Sequence, residues 1–309
     1  MMSQTLRFPT IKQEVIVVTG MMKYASKITL DAHCNCGFVV WSGGVGRGKT
    51  MCARWITEEL NRQYDPQDMG AFRLRHYEVG KVPPWAGREE KIAIRSLWHA
   101  TIGSMDEGMY RKYPVEAQAE LLVHSWKRMN LQFVFVDEAG RLSLNAIDGL
   151  VLVSDTAGNM KWPLTFVLIG MDDLPVKVGM NERIKRRIHQ WCYFQPYKLN
   201  ETWDLLAALH IYFAGLDRKK SADKEQVELI HQLTGGIPGF IAPFVSRFDS
   251  MLRDHPAINP IINIRAAHFQ PSREEERIKQ EMGLTPKRKL RDKVSEESKG
   301  GTKDAGKEQ

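Results

Sequence analysis

The sequence predicts an α/β domain built on a buried parallel sheet, with a small all-helical lid following it. Three observations predict this. The apolar run Phe38-Val39-Val40-Trp41 leads directly into Gly43-Gly44-Val45-Gly46-Arg47-Gly48-Lys49-Thr50, the G-x-x-x-x-G-K-[ST] pattern of a phosphate loop between a strand and a helix. A second run, Leu131 to Val136, ends in the carboxylate pair Asp137-Glu138, about ninety residues beyond the loop. Strand-like and helix-like segments alternate up to about residue 200, and helical patterns alone follow.

The elements follow in order. Residues 1–37 read as an N-terminal extension, partly helical between Ile11 and Ala32, where β-branched and polar residues mix with weak periodicity. The core starts at Phe38, and the helix behind the phosphate loop runs from Lys49 to about Leu60. Ala71 to Val79 alternates and predicts a second strand; Pro83-Pro84 marks a loop. Glu89 to Ile102 carries Ile92, Ile94, Leu97, Trp98 and Ile102 close to a helical stripe, and Val115 to Met129 is a further helix. Five of the six residues before Asp137 are apolar, as in a strand buried on both faces of a parallel sheet. Leu164 to Gly170 is the next buried strand, Asn181 to His189 a short basic helix, and Tyr193-Phe194 with Pro196 to Leu199 the last strand and its exit.

Residues 38–200 thus form the α/β domain and 201–270 the helical lid, with helices at Thr202–Phe213, Lys224–Leu233 and Phe240–Leu252 and a turn at Thr234–Gly239. Hydrophobes nearly vanish over 271–309, which predicts a charged, disordered tail, either solubilising or a tether for a protein or DNA partner.

The 309 residues suit one large domain and a small one. Lys and Arg number 44 against 37 Asp and Glu, a formal charge of +7. With a pI near 9.1 the chain leans toward a polyanionic partner, although a merely soluble basic protein accounts for the charge equally well. No run of about eighteen apolar residues offers a membrane span, and the N-terminus lacks a secretory pattern, so a cytoplasmic location is expected. Cys34, Cys36, Cys52 and Cys192 read as reduced thiols; Cys34-Asn35-Cys36 lacks a second pair at zinc-ligand spacing.

The chemistry concentrates in two places. Gly43, Gly44, Val45, Gly46, Arg47, Gly48, Lys49, Thr50 and Met51 are expected to bind nucleotide. Glycines allow a tight turn that points backbone N–H groups at phosphate oxygens, and the helix that follows adds the positive end of its dipole. Lys49 should reach the β- and γ-phosphates and Thr50 should ligate Mg²⁺. Asp137 should hold the Mg²⁺ water shell and Glu138 polarise the attacking water. An Asn-Lys-x-Asp base-reading motif is missing, which favours ATP over GTP. Arg183, Arg186 and Arg187 imitate the arginine-rich lid of a small-molecule kinase, a further alternative.

These motifs, together with Leu168-Ile169-Gly170, Asn181-Glu182-Arg183 and Thr234-Gly235-Gly236-Ile237, resemble the AAA+ ATPases over roughly residues 35–255. Asp137-Glu138-Ala139-Gly140-Arg141-Leu142, Ile169-Gly170-Met171 and Thr234 to Ile241 narrow the resemblance to the TniB/TnsC/MuB group, the ATP-dependent regulators of DNA transposition. The resemblance implies a P-loop AAA+ core whose nucleotide lies between neighbouring subunits. It implies Arg187 as the arginine that reaches a neighbour's γ-phosphate, with Arg183 and Arg186 in reserve. The polar residue usual after the fourth strand falls at Met171, and Asp172 is the substitute sensor of the γ-phosphate; the usual lid arginine falls near Pro238 and is absent. Both departures point to a slow ATPase that acts as a timer or an assembly switch.

Relatives of this group assemble as ATP-bound filaments or rings on double-stranded DNA, without strong sequence preference, and pass the site from a target-selector protein to a transposase. Arg111, Lys112, Lys127, Arg128 and Lys161 are the expected phosphate contacts. Other readings of the same motifs are helicase loading, secretion-linked remodelling, and a nucleotide-gated scaffold with incidental hydrolysis.

Overall fold

Five strands, all parallel, form one sheet: β1 (Phe38–Ser42), β2 (Arg73–Glu78), β3 (Leu131–Asp137), β4 (Thr165–Ile169) and β5 (Ile188–Tyr193), in the order β2-β3-β4-β1-β5. The computed structural model describes residues 15–33, 37–63, 73–78, 89–102, 113–254 and 259–269. The Pro83-Pro84 loop, the tail over 271–309, Cys34, Cys36, Arg111 and Lys112 lie outside the described residues.

The three central strands β1, β3 and β4 are buried at every position. Their side chains alternate between two separate cores, as the period of a strand requires. Phe38, Val40, Val134, Val136, Phe166 and Leu168 face the helices α3 (Glu89–Thr101), α4 (Val115–Arg128) and α5 (Leu144–Asn159). Val39, Trp41, Phe133, Phe135, Val167 and Ile169 face α1 (Gly20–His33) and α2 (Lys49–Gln63). Aromatic contacts tie the strands together: Phe38 stacks on Phe166 of the neighbouring β4 at 5.1 Å, and Trp41 meets Phe135 of β3, one strand further on, edge-on at 5.6 Å.

Two elements on this frame depart from the sequence reading. Helix α1 begins at Gly20, where the Thr19 hydroxyl accepts the Met22 N–H at 3.2 Å; residues 15–19 before it lie outside any helix. Its Met22, Ala25, Ile28 and Ala32, at helical spacing, cover the sheet beside α2. Helix α5 was not expected at all. Ser143 caps it by accepting the Ala146 N–H at 3.1 Å, and buried residues spread around it instead of forming one stripe.

The basic helix expected over Asn181–His189 is a correction. A single turn, α7 (Glu182–Lys185), follows the short α6 (Leu174–Gly179), and β5 already starts at Ile188. The Phe38 N–H bonds to the Arg187 carbonyl at 2.9 Å and draws the chain into the sheet there. β5 is an edge strand with Trp191 and Tyr193 exposed, so its sequence lacks the continuous apolar run of a central strand.

The lid contains α8 (Leu199–Leu209), α9 (Ile211–Ala214), α10 (Ser221–Thr234), α11 (Pro238–Asp254) and α12 (Pro260–Phe269) around Leu206, Phe213, Val227, Ile230, Phe244 and Phe248. The single helix expected over Thr202–Phe213 breaks at His210, which is extended. Its Nδ1 accepts the Tyr212 N–H, which leaves Nε2 to donate to Asp249 at 3.0 Å; Arg253 holds the other Asp249 oxygen. Among the described residues no helix is long and apolar enough to cross a membrane.

Candidate functional site

The phosphate loop leaves β1 at the edge of the sheet where the strands end, and the acidic pair leaves β3 at the same edge. Ligands of open α/β sheets bind at that edge. Thr50 lies in the first turn of α2, and its hydroxyl donates to Asp137 Oδ2 at 2.6 Å. The other oxygen, Asp137 Oδ1, accepts the Glu138 N–H at 2.9 Å. A hydroxyl and a carboxylate side by side form the hard oxygen donor set that Mg²⁺ prefers, so these residues fit the ion.

Lys49 curls onto its own loop, with Nζ donating to the carbonyls of Gly43 at 2.6 Å and Gly44 at 2.9 Å. Burial lowers its pKa; the charges of Asp137 and Asp172 oppose that shift and Arg47 adds to it. Glu138 sits in the left-handed region at φ 56°, and its carboxylate pairs with Arg141 at 2.6 Å. Both partners are well exposed, so this ion pair is weak and exchangeable.

The lid closes directly on the loop. Gly46 has φ 73°, and its carbonyl accepts the Gly239 N–H at 2.9 Å. A Cβ on Gly239 would stand 2.7 Å from Gly46 Cα, so only glycine allows this approach. Two hollows flank the junction and share Gly46, Lys49 and Thr50. One, of about 480 Å³, is apolar and lined by Val15, Ile16, Val17, Met51, Tyr197 and Pro238 among others. The other, of about 630 Å³, is the more polar of the two and holds Arg54, Asp137, Glu138, Arg141, Met171 and Asp173. An apolar lobe and a more polar lobe lined by charged side chains of both signs, joined at a phosphate loop, have the chemistry of a nucleotide cleft: base on one side, phosphates and their counter-ion on the other.

Residues 32–177 match the family model for an AAA domain. The fold agrees with this, being that of a P-loop AAA+ core: a central parallel sheet between helices. The ORC2 protein of Aeropyrum pernix, solved in its ADPNP-ADP complexes, is similar at TM-score 0.60 and 15% identity over 87% of this chain and 72% of that chain. The Pyrobaculum aerophilum Cdc6p gives TM-score 0.57 and 14% identity over 80% of this chain and 68% of that chain. The Aeropyrum pernix ORC1 protein in complex with DNA gives 0.56 and 16% over 87% of this chain and 69% of that chain. No curated protein matches the sequence.

In this AAA+ fold the other expected site residues fall in three places. Val45 to Met51 line one lobe or the other, and Gly43 and Gly44 stand behind them as acceptors for Lys49, although the Arg47 guanidinium turns aside to donate to the Tyr193 hydroxyl and the Phe194 carbonyl, both at 2.9 Å. Asp172 is exposed and does not line the polar lobe, but its charge acts on Lys49; Met171 and Asp173 do line it. Arg187 and Arg183 stand at the opposite edge, where the strands begin. There Arg187 grips Asp155 with Nε and Nη2 at 2.7–2.9 Å, Arg183 adds a contact at 3.6 Å, and neither reaches the phosphate loop of its own chain.

Sequence reasoning missed the apolar lobe. Val15-Ile16-Val17 is a β-branched run that signals an extended segment, but nothing in it points to a loop thirty residues on. Arg141 and Arg54 were also missed as lining residues. Cys52 and Cys192 are free and buried, and burial pushes the Cys192 thiol up to about 12, so it stays protonated. No cluster of three or more metal-ligating side chains occurs among the described residues.

Proposed function

We propose that this chain is an ATP-hydrolysing AAA+ switch that assembles on double-stranded DNA and regulates transposition target selection, bridging a target-selector protein and a transposase. The observation that carries the ATPase reading is the convergence of Lys49, Thr50, Asp137 and Glu138 in one cleft with the lid clamped on the loop. With ATP as substrate, Lys49 exchanges the Gly43 and Gly44 carbonyls for β- and γ-phosphate oxygens. Thr50 and Asp137 would hold Mg²⁺, whose charge offsets that of the phosphate oxygens. Glu138 leaves Arg141, orients a water and takes its proton as the water attacks the γ-phosphorus; ADP and phosphate leave. Met171 offers no hydrogen bond to that water and Pro238 stands where an arginine would steady the phosphates, so turnover is slow.

Arg187 and Arg183, remote from their own loop, suit a site completed by a neighbouring subunit in a filament or ring. The net charge of +7 and the ORC1 protein of like fold, solved with DNA, support duplex DNA as partner. The transposition role rests on the resemblance of Asp137–Leu142 and Thr234–Ile241 to the TniB/TnsC/MuB group.

Replacing Glu138 with Gln tests the catalytic assignment. Phosphate release in the presence of DNA should fall by about 100-fold or more while a fluorescent ATP analogue still binds. Hydrolysis at the wild-type rate would remove Glu138 from the mechanism and leave nucleotide as a bound switch.

A further inference from the structure

Glu138 keeps its backbone in the left-handed region at φ 56°, an unfavourable conformation for a residue that carries a side chain. Its surroundings hold it there. On one side Asp137 Oδ1 accepts the Glu138 N–H at 2.9 Å. On the other lies the tight turn Ala139–Arg141, anchored by Ala139 and Leu142, which are buried in the core beneath α3, α4 and α5. Within the turn the Glu138 carbonyl accepts the Arg141 N–H at 2.9 Å, and the Ala139 carbonyl accepts the Leu142 N–H at 3.1 Å. The next carbonyl, that of Gly140, is taken from outside the turn: Lys177 Nζ donates to it at 2.8 Å.

Lys177 stands in the last turn of α6, where a basic residue ordinarily serves the free carbonyls of its own helix. This ammonium instead crosses to a segment 37 residues back in sequence. The element that carries it is firmly seated. Leu174 and Val178 of α6 are fully buried, and a Cβ on Gly170 would stand 2.7 Å from Leu174 Cδ2, so the helix packs tightly on the end of β4. The Lys177 N–H bonds the Asp173 carbonyl at 3.0 Å. Glu138, Gly140 and Arg141 line the more polar lobe and Lys177 does not, so it acts on the site through the Gly140 carbonyl.

We propose that Lys177 is a positioning residue for hydrolysis: it pins the turn behind Glu138, so that the carboxylate, once free of Arg141, meets the attacking water in the right place. The inference rests on the reading of Glu138 as the group that activates that water. The two cations have different tasks. Arg141 holds the Glu138 side chain in an exposed, exchangeable pair. Lys177 holds the backbone beside it through a charge-assisted, part-buried bond. A carboxylate that must leave one partner and reach another at a fixed distance needs its own Cα kept in place. Without the ammonium the Gly140 carbonyl loses its partner, the turn relaxes and Glu138 is no longer aimed. Lys49 and Thr50, tied to Gly43, Gly44 and Asp137, still bind nucleotide. The signature is therefore a loss of kcat at unchanged KM.

The test is phosphate release by the full chain with duplex DNA over a range of ATP concentrations, beside titration with a fluorescent ATP analogue. Lys177→Met should lower kcat by about tenfold or more and leave KM and analogue affinity within about twofold. Lys177→Arg, which keeps a charged donor of similar reach, should restore most of the rate. Under single-turnover conditions, Lys177→Met added to Glu138→Gln should cost nothing further, because the carboxylate it aims is already gone. If Lys177→Met folds too poorly to bind the analogue, Lys177→Gln, whose amide falls short of the carbonyl, takes its place with the same expectations. Wild-type kcat in the Met or Gln variant, or a further loss of the same size in the Glu138→Gln background, would overturn the assignment of Lys177. No hydrolysis by the wild type, or the wild-type rate in Glu138→Gln alone, would instead sink the reading of Glu138 on which it rests.

Discussion

Lys49 shows what the loop offers a phosphate. Its ammonium is half-buried and satisfied by two loop carbonyls, a poor substitute for phosphate oxygens, because the carbonyls carry no net charge. Residues of this kind were legible in the sequence because the loop places them by local spacing alone: Gly43 to Thr50 and Asp137-Glu138 each lie within a few consecutive positions. Arg47 was read as part of the phosphate cradle, and its turn toward Tyr193 depends on a strand that lies 146 residues away in sequence.

A second residue carries a pH dependence. His33 stacks on Phe133 at 4.3 Å and bonds Gln132 and Thr165, and burial lowers its pKa below 6.5, with the Gln132 bond opposing. Below that value the unfolded chain binds a proton that the folded chain resists, so stability falls as pH drops. Thermal unfolding followed from neutral to mildly acidic pH should show a steeper loss of Tm for the wild type than for His33→Gln. Equal losses would mean that His33 is protonated without cost.

At the scale of elements, the contact between lid and loop is decisive for nucleotide binding. The turn before α11 reaches Gly46 through Gly239, while the Tyr197 N–H bonds the Gly236 carbonyl at 2.7 Å and holds the turn to the chain leaving β5. Gly239→Ala inserts a methyl 2.7 Å from Gly46 Cα, and parting the two backbones costs about 1–3 kcal/mol. Titration with a fluorescent ATP analogue should show affinity lower by about tenfold, with the far-UV circular dichroism unchanged. Unaltered affinity would show that the lid stands off the loop when nucleotide binds.

Element boundaries were legible where burial is one-sided or complete. The central strands announced themselves as runs apolar at nearly every position, and α3 by a stripe. Helix α5 hid because it is buried nearly all round, and β5 because an edge strand alternates exposure over only six residues. The break at His210 depends on Asp249, a partner thirty-nine residues on, which no local pattern reveals.

The whole molecule separates its chemistry between two edges of one sheet. The strand-ending edge carries the phosphate loop, the acidic pair and the lid; the strand-beginning edge carries Arg183, Arg186, Arg187, Lys161, Lys127 and Arg128. An ATPase completed by a neighbour's arginine must bring the second edge of one copy to the first edge of the next, a head-to-tail contact that generates rings or filaments. The Arg187 grip on Asp155 then has to loosen, or be shared, as copies meet.

Electron microscopy of the full chain with duplex DNA, in a non-hydrolysable ATP analogue, in ADP and without nucleotide, tests this most directly. The account predicts ring-shaped or helical particles on DNA with the analogue alone. Single copies under all three conditions would contradict it, and would make the nucleotide cleft the complete site of a lone subunit.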